Sequence, residues 1–538
     1  MNYTRYSHDH KTKGRVKPLR QVKLTKPALR VLVIIILAVI GTIVLIRSRA
    51  ATNVSSIEAE NGSMSNPNLV INDPSASKLK AIRFSSTKGP GLGEQITPGA
   101  ESNYNMLPYI PPHDPTGRLI TAAANSTDIA NKINSASPGD IIEVDAGTVT
   151  GNINITSSGT LGNPIVLRSK IKNGTSFNCS TDNCIGINGS YIVIQQFRFA
   201  GTGRYAISIR GDENFIYDNL FDQTGSGADA SSSSVVFING PNYLRMMNTK
   251  IIKNTFNKPK NAAIFNANGA GGTTISHNII QGPHGIGPGE REAFKFGCCA
   301  SDPVGDYNNH VQFNSFYNWG VTYPYLSQFK RGGSYLAYNK VISDLPTDDN
   351  DILSSRSDNN KFVGNLMIGK SAMFELGSGT NLTIKYNKLF STGNTFGKSS
   401  WNIWGNGTFG AGNPFTKVTN SLFSSNVVFL DSPSEPYDTL FGSSGGTQSS
   451  PPTNNTFENN IFGRGDSPNQ WFDTNWLYNN GNVWRNNTFT CRNSCTQGQI
   501  SNTYVLGSNG NVTGAANYNP TDKNQKVTFD PQYVLPAK

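Results

Sequence analysis

The chain has 538 residues and a mass of 58.2 kDa, too long for a disulfide-stapled miniprotein and long enough to bury a large core. Only 15% of residues are charged, 54 are glycine, and Asn and Ser are frequent, which excludes a helical bundle rich in Ala, Glu, Lys and Leu and points to a turn-rich all-β body. The net charge of +11 is concentrated at one end: residues 1–50 hold eleven Lys and Arg against Asp9 alone. The rest of the chain holds 35 basic and 34 acidic groups, which argues against a nucleic-acid-binding body.

Residues 1–30 read as a basic cytoplasmic tail. From Val31 to Ile46 the run VLVIIILAVIGTIVLI carries no charge and would extend roughly 24 Å as a helix. This is a transmembrane signal-anchor or a long signal peptide, with Ser48-Arg49-Ala50-Ala51 as a cleavage site. Nine basic residues before the run place the amino terminus in the cytoplasm and the body outside, either on the membrane or secreted. The cysteines agree with export. They fall as the close pairs Cys179/Cys184, Cys298/Cys299 and Cys491/Cys495, which suit local disulfides, and no C-x-x-C or His-x-x-x-His spacing supports zinc.

Residues 51–116 form a different segment. The phrases IEAENG and DPSASKLKAIRF resemble the first strands of β-sandwich carbohydrate-binding modules, but the match ends after about thirty residues, short of the ~100 that a sandwich requires. The resemblance implies a truncated module followed by a Gly/Pro-rich linker.

From 117 to 538 an internal repeat governs the chain. The pattern apolar-x-x-Asn-x-apolar is centred on Asn219, Asn254, Asn278, Asn314, Asn339, Asn365, Asn387, Asn426, Asn460 and Asn487. Its shortest spacings, 22 to 27 residues, define one coil, and the longer ones read as coils with inserted loops. Strand, corner and strand at this period cannot bury an apolar face alone; stacked copies bury it against one another, which makes a single-stranded right-handed parallel β-helix. Asn suits the corner because it tolerates the left-handed conformation and because stacked amides bond from coil to coil. Upstream, STDIANKINSA over Ser126–Ala136 sets Ile129 and Ile133 four residues apart, as an amphipathic helix able to cover the first coil's open core. Strands are expected over Ile141–Val144 and Ile165–Arg168, and a closing strand over Val527–Val534.

Several phrases carry chemistry. SPGDIIEVDAGTVTG and SSGTLGNPIVLRS open the body; Glu292-Ala293-Phe294-Lys295-Phe296-Gly297 follows. Ser327-Gln328-Phe329-Lys330-Arg331-Gly332-Gly333-Ser334-Tyr335 comes next, and then Asp351-Ile352-Leu353-Ser354-Ser355-Arg356-Ser357-Asp358-Asn359. Over about 127–400 these resemble polysaccharide lyase family six, a pectate-lyase-like β-helical group that includes chondroitinase B and alginate lyases. The resemblance implies β-elimination on a uronic-acid polymer, with Lys330 as base and Arg356 as charge stabiliser or proton donor. Elimination needs relief of the carboxylate charge, a base for the C5 proton and an acid for the leaving oxygen. A lysine serves as base when cationic neighbours lower its pKa from about 10.4. The family's calcium ligands, an asparagine and two glutamates, fall here on Gly289, Tyr323 and Tyr325, which are not hard-cation ligands. The expected site therefore uses no cofactor: Lys295, Arg331 and Arg356 neutralise the carboxylate, Tyr323 or Tyr325 is the acid, and Glu292 binds substrate or pairs with Lys295. The expected partner is an anionic polysaccharide, met by a monomer.

Two rival readings stay open. The lost calcium ligands suit a non-catalytic glycan-binding or adhesion β-helix. A glycoside hydrolase would need two carboxyls roughly 5–9.5 Å apart, and Glu292, Asp351 and Glu375 are the candidates. The run Asp348-Asp349-Asn350-Asp351 reads as a solvated loop or a calcium site, and His284 as a loop residue.

Overall fold

The structure is a computed structural model. It describes residues 112, 115–178, 180, 183–201, 203–224, 234–260, 262–282, 293–297, 305–317, 327–343, 351–369 and 372–391. It continues with 401–403, 406–409, 413–415, 417–430, 441–442, 447–450, 452–464, 481–485, 487–491, 504–506 and 512–514. The chain divides into the units Met1–Asn66 and Pro67–Lys538, of which the first lies wholly outside the described residues. So do the apolar run at 31–46, nearly all of 51–116 and the segment expected as a closing strand. Among the described residues no helix is long and apolar enough to cross a membrane.

The described part is a stack of coils, each contributing one strand to each of three parallel sheets. A 14-stranded first sheet runs from Leu119–Ala122 to Val483–Arg485, a 13-stranded second sheet from Gly147–Val149 to Thr488–Cys491, and a third, of 12 strands, begins at Ile153–Ile155 and reaches Phe441–Gly442. Every pairing within the three is parallel, as the repeat requires; Ile216, for example, lies between Ile194 and Ile251. Alternation along each strand sends one set of side chains inward. The second sheet stacks Phe177, Phe199, Phe221 and Phe256 at centroid spacings of 5.2, 4.9 and 4.7 Å, all fully buried. At about 1.5–3 kcal/mol for each fully buried large apolar side chain, this column supplies much of the stabilisation of its coils.

The near end is closed by α1, Ser126–Asn134. Asn125 caps it by accepting the Asp128 amide at 2.8 Å, and Asp128 pairs with Lys132 one turn on. Ile129 and Ile133 are fully buried in the same cluster as Ile142 and Ile153, the lid expected from their spacing. Asn134 fixes the lid to the third sheet, accepting from the Thr156 amide and donating to the Asn154 carbonyl, both at 2.8 Å.

The ten repeat asparagines line the corner from the first sheet to the second, all at most 2% exposed. From Asn219 to Asn460 each side-chain amide donates to the Asn Oδ1 one coil further on, at 2.8–3.1 Å. That same oxygen also accepts the backbone N–H of the donor residue, as Asn339 Oδ1 does for Asn314 at 3.0 Å. The ladder is as expected, but the left-handed conformation is not on the asparagine. It sits one residue earlier, on Asp218, Lys253, His277, Phe313, Tyr338, Gly364, Tyr386, Ser425 and Asn459, with φ between 52° and 65°. The asparagine is the buried anchor, and its bonds hold its neighbour left-handed whatever that neighbour is.

A second polar ladder turns the third sheet into the first. Asn214, Asn309, Asn360, Asn455 and Asn482 accept amides of the preceding coil at 2.9–3.0 Å, and Ser421 does so with its hydroxyl. Left-handed residues again come just before, at Glu213, Asn308, Asn359, Asn420, Asn454 and Gly481.

Candidate active site

The cations singled out in the sequence lie on three consecutive coils of the third sheet. Phe296 pairs with Phe329 and Phe329 with Ser355, so Lys295, Lys330 and Arg356 sit beside core positions on neighbouring strands. Phe296 and Phe329 are each 1% exposed and stack at 4.8 Å, and Ser355 is buried. Lys330 directly follows Phe329, and Arg356 directly follows Ser355. The two thus occupy equivalent places one coil apart, about 4.8 Å along the stack.

Backbone bonds fix both. The Lys330 amide donates to the Phe296 carbonyl at 2.9 Å, and the half-buried Arg331 turns back to donate to the Lys330 carbonyl at 2.9 Å. Arg356 stands at an irregularity: the register against Ala372–Thr380 shifts between Ser355 and Arg356, which then pairs with Ser378. Beneath that shift Asn360 donates to the hydroxyls of Ser355 at 3.1 Å and Ser357 at 3.0 Å, and its oxygen accepts the Ser334 amide at 2.9 Å. Asn360 therefore ties the coil of Arg356 to the coil of Lys330. Sequence reasoning missed this support, because a serine-rich turn is unremarkable until its hydroxyls are seen to share one buried amide.

Lys295 is 3% exposed, with its ammonium 5.6 Å from the centre of the Phe265 ring on the preceding strand. Phe265 continues an aromatic row through Phe237 at 5.4 Å to Tyr205, 4.6 Å further, and the Arg204 guanidinium lies 5.2 Å from the Tyr205 ring. The outer face of the third sheet thus carries rings and cations in a row that ends at Lys295, whose partner on the next strand is Gln328, two residues before Lys330.

The remaining candidates fall outside the described residues: Tyr323, Tyr325, Glu292, Gly289, His284, and Cys179, Cys298, Cys299 and Cys495. For Cys491, Asp351 and Glu375 the strand is described but not the side chain. Cys184 is disulfide-bonded and 2% exposed. Among the described residues no three His, Cys, Asp or Glu side chains gather as a metal site would require. The donor chemistry at the family's calcium positions, two phenols and a glycine, does not fit calcium.

No family model matches the chain, and no curated protein matches it. Among solved structures it is similar to the PL6 family alginate lyase AlyGC, with a TM-score of 0.52 and 17% identity, covering 76% of this chain and 56% of that one. It is also similar to a mannuronic acid specific polysaccharide family 6 lyase from human gut microbiota, with a TM-score of 0.51 and 14% identity, covering 69% and 86% of the two chains. This chain therefore spans just over half the length of AlyGC. At these identities the likeness is one of fold, and it agrees with the stacked parallel coils.

Proposed function

We propose that this chain is an extracytoplasmic polysaccharide lyase that cleaves a uronic-acid polymer, of alginate or glycosaminoglycan type, by β-elimination. The observation that carries the reading is the equivalent placing of Lys330 and Arg356 on adjacent coils of one sheet. A β-helix fold shared with lyases that act on such polymers supports it.

In this reading Lys330 takes the C5 proton. The electron pair of that C–H bond becomes the C4–C5 double bond, the C4–O bond breaks, and the departing oxygen receives a proton from Tyr323 or Tyr325. The carboxylate must be neutralised for C5 to become acidic. Lys295, Arg331 and Arg356 do this in place of a metal, with Arg356 acting electrostatically because a guanidinium does not release a proton. Glu292 orients substrate or Lys295. The basic tail and apolar run at 31–46 hold the enzyme outside the plasma membrane or direct its secretion, and it acts as a monomer.

The test is incubation with alginate, pectate, dermatan and hyaluronan while following both ultraviolet absorbance of the unsaturated uronate and new reducing ends. Elimination gives both signals. Reducing ends without absorbance would mean hydrolysis, and binding without either would mean a glycan-binding scaffold. Activity abolished by a chelator would overturn the metal-free route.

A further inference from the structure

A cavity of about 270 Å³ opens at the corner where the second sheet passes into the third, lined by Arg198, Ala200, Gly201, Asp222, Gln223 and Lys260. Its origin is visible in the register. Phe199 pairs with Phe221, so Ala200 and Gly201 stand one coil before Asp222 and Gln223, at places whose own side chains are only a methyl group and a hydrogen. On the following coils the chain turns sharply: Gln223 and Lys258 are both left-handed, with φ of 51° and 46°, and their amides are held by the Asn257 and Gln281 carbonyls at 2.8 and 2.7 Å. Backbone geometry thus shapes the hollow among the described residues.

Its chemistry is that of a sugar site. Asp222 takes one bond from the Arg198 guanidinium at 2.7 Å and one from the Asn257 amide at 2.8 Å. The Arg198 bond is the largest influence holding its carboxyl below the usual range, against the opposing effect of burial, so it is an ionised acceptor at neutral pH. Arg198 keeps 43% of its side chain exposed while making that pair. Gln223 adds an amide that both donates and accepts, and Lys260 adds an ammonium. The lining thus holds two cationic side chains and one carboxylate. Next to Gln223, the Thr224 side chain is 2% exposed and its hydroxyl has no hydrogen-bond partner. The volume lies below the ~300–1,000 Å³ of pockets for drug-sized ligands, and so suits one ring better than an oligosaccharide.

We infer that this cavity is a second, non-catalytic binding site for a single uronate unit of an acidic polysaccharide. Asp222 and Gln223 meet ring hydroxyls, and Arg198 and Lys260 meet the carboxylate. The inference rests on the uronic-acid reading proposed above, but the site is separate from Lys330. The cavity lies where chains enter the third sheet, whereas Lys330 and Arg356 lie where they leave it. From the middle of the cavity to the strand of Lys330 is three coils, about 14 Å along the stack. A unit held here is not the unit cut, so the site tethers polymer while another stretch reaches the catalytic cations.

The test measures retention of the full chain in gels containing polyuronate, in a Lys330→Ala background so that the polymer stays intact. Two variants probe the cavity: Arg198→Gln with Lys260→Gln removes the charges, and Ala200→Phe fills the space and leaves every charge in place. Each is expected to weaken polyuronate binding about tenfold, a difference of about 1.4 kcal/mol. With Lys330 intact, the same changes are expected to leave the cleavage rate on a trisaccharide unchanged. Parent-like retention of both variants would overturn the inference, as would an equal loss of binding to a neutral polymer. Failure of the lyase reading is distinguishable, because the enzyme with Lys330 intact would then release no unsaturated product, whatever the cavity variants bind.

Discussion

Asn339→Ala removes one rung from the middle of the asparagine ladder, and the structure sets its cost. Asn339 Oδ1 accepts both the backbone N–H and the side-chain amide of Asn314 at 3.0 Å, and its Nδ2 donates to the Val311 carbonyl at 2.9 Å and to Asn365 Oδ1 at 3.0 Å. Alanine leaves the Asn314 backbone N–H unmatched in a place where Asn314 is 1% exposed, so water cannot replace the lost oxygen, while the Asn314 side-chain amide keeps its bonds to the Ile275 and Gln312 carbonyls at 2.9 and 3.1 Å. A buried polar group left unsatisfied costs about 1–3 kcal/mol, so the one orphaned Asn314 donor costs about that much. That is a large share of the ~5–15 kcal/mol by which a folded domain is stable. Urea unfolding followed by circular dichroism measures it, with Asn381→Ala as control: Asn381 is exposed and left-handed (φ 60°), and its side chain makes a long bond to Asn359, at 3.4 Å. If Asn339→Ala cost no more than the control, the ladder would be ornament and the reasoning would fail.

Gly364→Ala is expected to lose about 1–3 kcal/mol. Its φ is +65°, and a Cβ would meet the Tyr338 ring at 2.4 Å; the double variant with Tyr338→Ala should recover part of the loss in the same urea assay. His310 stacks on Tyr335 at 4.9 Å, and burial first, then the Lys361 charge, pushes its pKa down to about 4 from 6.5. Unfolding lets the ring bind a proton over that interval, so stability falls as pH drops from about 6.5 and levels off below about 4, by on the order of 3 kcal/mol at most. His310→Phe should flatten that slope in melts taken at several pH values; an unchanged slope would assign the titration elsewhere.

The parts of this fold legible in the sequence are those where one residue type does one job at a fixed interval. Asparagine recurs in the first ladder because only its flat amide both accepts from one coil and donates to the next, and Ile129 and Ile133 reveal the lid because nothing else there is apolar at helical spacing. The left-handed corners were misplaced onto the asparagines, because the residues that adopt them range from Asp218 to Phe313 to Gly364 and share no chemistry. The second ladder escaped notice for the same reason: Asn214, Ser421 and Asn455 each meet the need for one buried acceptor, so the position reads as merely polar. The motifs around Lys330 and Arg356 singled these two residues out, and the register sets them at equivalent places on adjacent coils. The tie made by Asn360, and the hollow over Asp222, come from three-dimensional register and leave no pattern along the chain.

The most direct test of the central claim compares Lys330→Ala and Arg356→Ala with the unaltered chain on a polyuronate, following the absorbance of the unsaturated product. The paired cations predict that loss of the base lowers the turnover rate about 10²–10⁴-fold, and that Arg356→Ala also slows the reaction while the variant still binds polymer. Turnover by Lys330→Ala at the rate of the unaltered chain would contradict the account.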